Sequence, residues 1–233
     1  MTQLNSIERH QLARIAGVAL LLTIVIGIAA SIFISKGIDI NLSADIEATA
    51  QNMLAAESRL MAKAYLGVLM FCLEAAFCVA LYLLLRREGP FLAGWSLFAS
   101  LAAAVLVLLG AVAAANASQL AGNAAFSTLA SDSQRLLLAG LQATNDYTSF
   151  HLSIILSSLA KAGFFYLFFK SRLIPLLISG WGIFASLFVA TTIVARDFVP
   201  ALGHMAVTMS FMLSNLLALA ALSLYLILKG VRA

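Results

Sequence analysis

The chain has 233 residues, of which 63% are hydrophobic and 10% charged, with a formal net charge of +4 and a mean hydropathy of +1.02. A soluble domain carries about 25% charged residues, so this composition excludes a water-soluble globule and places the chain in lipid. Long unbroken apolar runs also exclude a closed barrel, whose strands alternate polar and apolar residues; they require helices, which satisfy their own backbone in hydrocarbon.

In chain order, the apolar runs predict six spans, at about 13–34, 64–85, 91–118, 147–169, 173–195 and 205–228. Each is long enough to cross a bilayer, which takes about 20 residues. Ala29-Ala30-Ser31 resembles a signal-peptide cleavage region, but Glu8 and the length of the apolar run favour a retained first span. Between spans one and two, Ile46, Ala50, Met53, Leu54 and Met61 share a helical face, with Asp45, Glu47, Gln51 and Glu57 among the others. That pattern predicts an amphipathic helix on the outer surface. A similar segment is expected within 119–146, opened by Ser131 with Gln134 three residues on, the spacing of a capping box. Leu136, Leu137, Leu138 and Leu141 follow it.

Two phrases recur. Tyr82-Leu83, Tyr166-Leu167 and Tyr225-Leu226 each precede a cation four residues after the Tyr: Arg86, Lys170 and Lys229. Gly94-Trp95 with Phe98-Ala99-Ser100-Leu101 returns as Gly180-Trp181 with Phe184-Ala185-Ser186-Leu187. Tyr at a span end sits among headgroups, and the cation one turn later reaches phosphates. The glycines let helices approach closely, and Pro90 and Pro175 suit helix starts. The recurrences predict three tandem hairpins related as parallel pseudo-repeats. The expected architecture is thus an all-α integral membrane protein, a single membrane domain over 1–233, with two amphipathic helices on the outer face.

Charge predicts the orientation. One side carries Arg9, Arg14, Arg86, Arg87, Lys170, Arg172, Lys229 and Arg232 against Glu8 and Glu88, a net of +6. The other carries Lys36, Arg59, Lys63, Arg135 and Arg196 against seven carboxylates, a net of −2. The positive-inside bias puts both termini in the cytoplasm. Because the cations flank spans, the positive balance calls for no nucleic-acid partner; the partners expected are the bilayer and a small-molecule or lipid ligand. Cys72 and Cys78 lie on one helix, six residues apart, and cannot bridge each other.

Two charges fall inside the membrane: Glu74 on span two and Lys161 on span four. Each alone at mid-helix costs roughly 2.5–3.5 kcal/mol. Counted back from Tyr82 and Tyr166, Lys161 is three residues deeper than Glu74, about 4.5 Å. A Lys stem covers that, so an ion pair is feasible. Asn215 on span six falls at a similar depth, and Ser157 and Ser158 are near; together they can line a polar centre. His151 stands one turn into span four from outside. His151 and His204 with Asp146 and Asp197 form an alternative set for a metal site or acid/base chemistry. No phosphate-binding glycine loop, Gly-x-Ser-x-Gly elbow or His-Glu-x-x-His is present. No cofactor is implied.

The opening ARIAGVALLLTIVIGI, the ALYLLLRRE that ends span two, and HLSIILSSL running into FKSRLIPLLISGWGIF resemble the bacterial membrane proteins of domain-of-unknown-function family 4386. The segment from His151 to Trp181 is the most specific part. The resemblance implies a bacterial multi-span protein of the cytoplasmic (inner) membrane and brings no accepted activity or catalytic residue. An acidic residue at Glu74 and a basic one at Arg172 suit the family pattern, while Lys161 departs from it.

The expected function is a multi-pass module that binds or transports a small or amphiphilic ligand entering from the outer face, with Glu74, Lys161 and Asn215 at its polar centre and His151 at its mouth. The alternatives are an intramembrane enzyme with an outward-facing site, metal-dependent or acid/base, and an accessory subunit that only packs against partners. The residues favour a non-enzyme.

Overall fold

The computed structural model describes residues 6–40 and 45–232. Among these residues there is no strand, and six helices are long and apolar enough to cross a membrane. In chain order the helices are α1 (Ser6–Phe33), α2 (Ile46–Leu54), α3 (Glu57–Leu85), α4 (Pro90–Gly122), α5 (Ala124–Leu129), α6 (Asp132–Ser171), α7 (Leu176–Phe198) and α8 (Met205–Leu228), with a 3₁₀ turn at Pro200–Gly203. The spans are α1, α3, α4, α6, α7 and α8.

Helix ends fall where local chemistry puts them. Pro90 is the first residue of α4, where its missing N–H costs nothing. Asp45 caps α2 by accepting from the Ala48 amide at 3.0 Å, and Asn123 caps α5 by accepting from the Ala125 amide. The expected capping box opens α6: Gln134 Oε1 accepts from the Ser131 amide at 2.9 Å, and Ser131 Oγ from the Gln134 amide at 3.4 Å. Gly230, at φ +71°, ends α8 in the left-handed conformation that a Cβ disfavours.

The box does not open a separate surface helix. From Asp132 the helix runs on without a break to Ser171, 40 residues in one element. Nothing in that stretch interrupts it, since it holds no proline and only isolated glycines. Its early buried face is Ala139, Gly140 and Ala143, and Leu137 is 74% exposed. Small residues face the neighbours because α2 lies against them: a Cβ on Gly140 would meet Ile46 Cγ2 at 3.4 Å. In α2, Thr49, Ala50 and Met53 are buried and Ile46 is exposed; Met61 belongs to α3.

The chain forms two compact units, and α1, α3, α4 and α6 contribute to both. One comprises residues up to 24, 72–104 and 153 onward. Its core joins Leu20 of α1, Phe77, Leu81 and Leu85 of α3, Phe164, Phe165 and Phe168 of α6, and Leu222 and Leu226 of α8. The first and last spans meet closely: Ser223 Oγ donates to the Gly17 carbonyl at 3.1 Å, and a Cβ on Gly17 would stand 2.8 Å from Ile227 Cγ1. The other unit comprises 25–71 and 105–152, cored by Ile38, Met53, Leu60, Ala117 and Ala143. Its connector after α1 is pinned by side chains. Asn52 donates to the Gly37 carbonyl at 3.0 Å, and Arg59 to the carbonyls of Ile34 and Lys36.

Candidate functional site

Glu74 and Lys161 come together in the first unit. Lys161 Nζ lies 3.5 Å from Glu74 Oε1, and each side chain is 14% exposed. Counted from the last helical residue, Glu74 is eleven positions from the end of α3 and Lys161 ten from the end of α6, so the two are nearly level. The Tyr marks suggested a wider offset because α6 continues further past its Tyr than α3 does. The contact is an ion pair without hydrogen-bond geometry: Glu74 Oε1 is buried and has no hydrogen-bond partner. A buried oxygen left unbonded keeps its desolvation cost of about 1–3 kcal/mol.

Four further buried oxygens in this unit, the hydroxyls of Ser96, Ser100, Ser186 and Ser214, have no hydrogen-bond partner. Ser100 is ten positions into α4 and Ser186 ten into α7, the same count from the helix end as Lys161. Ser96 Oγ occupies the space that a Cβ on Gly163 would take, so α4 and α6 approach closely two residues from Lys161. The sequence had offered Ser157, Ser158 and Asn215 instead. Ser157 donates to the Ile154 carbonyl of its own helix at 3.2 Å, and Ser158 is buried. Asn215 is half-buried on α8, and among the described residues no hydrogen bond joins it to Glu74 or Lys161. The buried polar residue there is its neighbour Ser214, whose carbonyl accepts from Trp181 Nε1 at 3.3 Å. Ser100 and Ser186 did carry a signal: they hold the same place in the repeated Phe-Ala-Ser-Leu phrase.

A second charged cluster lies in the other unit and was not anticipated. Lys63 Nζ is 2.9 Å from Asp39 Oδ2 and 2.5 Å from Asp146 Oδ2. The three side chains are only 15–16% exposed. Gly110 of α4 makes room for this arrangement, because a Cβ there would stand 2.5 Å from Asp146 Oδ1. His151, one turn beyond Tyr147, packs on that ring with centroids 5.7 Å apart. Asp197 is exposed in the last turn of α7, and His204 is exposed just before α8 and makes no capping bond. Among the described residues no group of three or more His, Cys, Asp and Glu is placed to hold a metal ion. The Asp146 carboxylate, one of the four residues in the alternative set, is engaged by Lys63.

Two grooves open in the same unit. One, of about 520 Å³, lies between α2 and the start of α6, walled by Ile46, Ala50, Leu137 and Leu141 with Glu47 at its edge. The other, of about 370 Å³, lies between α4 and α6 and is lined by three carboxamides and two hydroxyls beside Leu109, Val112 and Ala113.

Comparison with curated proteins and with solved structures returned no match. The family model described as a domain of unknown function (DUF4386) matches residues 15–230, nearly the whole chain. All but Ala13 and Arg14 of the residues that carried the resemblance lie inside that stretch, and the chain belongs to this family.

Proposed function

We propose that this protein is a multi-pass membrane module that binds or transports a small or amphiphilic ligand, with Glu74 and Lys161 as its polar centre. The observation that carries the reading is the 3.5 Å ion pair on two spanning helices, with Glu74 Oε1 left without a hydrogen bond. Ionisable side chains within spans are expensive and mark ligand or ion pathways. A carboxylate whose ion-paired oxygen makes no hydrogen bond, an ammonium and hydroxyls at the same helical level offer both acceptors and donors to a polar guest. Asn215, beside Ser214, is a further member of this centre, and His151 is a second candidate on the outer side.

The proposal includes a bacterial inner-membrane location with both termini cytoplasmic, supported by the +6 against −2 charge split. It also includes the tandem hairpins. Repeat-related positions have matched burial, which supports that part: Ala99 and Ala185 are buried, as are Ser100 and Ser186, while Phe98 and Phe184 are exposed.

The test is native mass spectrometry of the full chain purified from its membrane, beside Glu74→Gln and Lys161→Met. A small molecule or lipid that travels stoichiometrically with the wild type and leaves both variants supports the reading. An adduct pattern unchanged in folded variants removes Glu74 and Lys161 from any ligand site.

A further inference from the structure

Arg172 has an unusual backbone. Among the described residues it is the one non-glycine residue with a positive φ, at +55°. It directly follows Ser171, the last residue of α6, a place where helices often close on a left-handed residue, usually glycine. The end of α8 shows the usual solution: Gly230, one residue after Lys229, has φ +71°. A Cβ is disfavoured in this conformation, so glycine would serve the turn at Arg172 with less strain. What arginine brings there is its guanidinium, and residues held in strained conformations cluster at ligand sites.

The fold gathers further cations at this turn. The Arg232 amide donates to the Leu173 carbonyl at 2.9 Å, which fixes the segment after α8 beside the turn. Lys170 Nζ donates to the Glu88 carbonyl at 3.1 Å, which brings in the turn between α3 and α4. In the three segments 86–89, 170–175 and 229–232, six cations stand against Glu88 alone. Glu8, the other carboxylate at this end, is balanced in charge by Arg9. Arg172, Lys229 and Arg232 are exposed, and among the described residues no hydrogen bond or ion pair engages their side chains. Leu176 and Leu177 open α7 four and five residues after Arg172, and they are 44% and 83% exposed. On a helix that crosses a membrane such side chains meet lipid chains, and cations beside them stand at headgroup level.

We infer that the turn after α6 binds an anionic phospholipid, with Arg172 and Arg232 on its phosphate and an acyl chain along the exposed start of α7. A guanidinium offers paired N–H donors that match phosphate oxygens, and basic clusters at span ends recognise anionic headgroups. A zwitterionic headgroup brings its own ammonium into a field that is already positive. Inorganic phosphate leaves Leu176 and Leu177 uncovered. The inference goes beyond the Glu74–Lys161 reading and does not depend on it, because Lys161 lies ten positions back along α6 from its last residue.

The experiment uses the full chain in nanodiscs of phosphatidylcholine and phosphatidylglycerol in equal parts, with retained lipid counted by native mass spectrometry. The wild type should retain phosphatidylglycerol about tenfold over phosphatidylcholine, the equivalent of about 1.4 kcal/mol. Arg172→Gly should abolish that preference without lowering the melting temperature, because glycine suits the turn. Arg232→Gln keeps the amide on Leu173 and should abolish it too. Arg14→Gln removes an exposed cation from the same end of the spans and should leave the preference intact. A wild type without headgroup preference overturns the inference, and so does a preference that survives either Arg172→Gly or Arg232→Gln. An equal loss in Arg14→Gln also overturns it, since the preference is then a diffuse effect of the positive side. Displacement of phosphatidylglycerol by excess inorganic phosphate overturns it as well, and assigns the turn to a soluble anion.

Discussion

Lys63 Nζ lies 2.5 Å from Asp146 Oδ2 across 83 positions of sequence, and the same ammonium is shared with Asp39 at 2.9 Å. One cation thus joins the connector after α1, the start of α3 and the middle of α6. The cluster holds two carboxylates to one ammonium, so its members are not equivalent.

Lys63→Met should be the worst single change in this cluster, because it leaves both carboxylates largely buried without their shared ammonium. Removing one partner of a buried pair costs about 3–5 kcal/mol. Asp146→Asn should cost less, since Lys63 keeps Asp39. Thermal melting in detergent reads the order directly, and an Asp146→Asn variant less stable than Lys63→Met contradicts it.

Gly110→Ala should act on the same cluster without touching a charge. The new Cβ would stand 2.5 Å from Asp146 Oδ1, so the carboxylate must leave Lys63 or the helices must part. Overpacking of this kind costs about 1–3 kcal/mol. In an Asp146→Asn background the penalty should shrink, because less electrostatic attraction is lost. Equal penalties in both backgrounds show that Gly110 serves helix packing alone.

Glu74→Gln and Lys161→Met should each lower the melting temperature, and the double variant should recover part of the loss, the signature of a coupled pair. Strictly additive losses, or a Lys161→Met variant as stable as the wild type, show that the 3.5 Å approach carries no coupling energy.

Cysteines placed at Arg87 and Ser131, both exposed, should react with an impermeant thiol reagent from opposite sides of the membrane in a background free of Cys72 and Cys78. Arg87 should label from the cytoplasm and Ser131 from outside. Labelling of both from one side rules out the proposed orientation.

The spans were legible because twenty apolar residues in a row have few physical solutions. Their ends were less so. The run 147–169 lies within a helix of 132–171, since a helix continues past the hydrocarbon wherever capping and side-chain packing still support it. The capping box at Ser131 was readable because it is local. The Glu74–Lys161 contact was readable as a possibility, since depth can be counted along each helix; which faces meet cannot be. Lys63 and Asp146 had the same kind of signal. Each directly precedes a predicted inward-running span, at 64 and 147, so both stand at one boundary. The repeated phrase marked Ser100 and Ser186 as equivalent positions but not as unbonded ones: a hydroxyl looks alike in sequence whether it bonds to its own helix, as Ser157 does, or finds no partner, as Ser100 does.

Arg59 places its guanidinium on the carbonyls of Ile34 and Lys36 beyond α1, and Arg135 donates to the Leu120 carbonyl in the last turn of α4 at 2.9 Å. With Lys63, these are three of the five cations on the side proposed to face outward, and each is bound to a fixed partner within the fold. In the proposed orientation these three charges cross the membrane before they have partners and find them only once the helices have met. Deleting Arg59 frees the carbonyls of Ile34 and Lys36 beyond the first span.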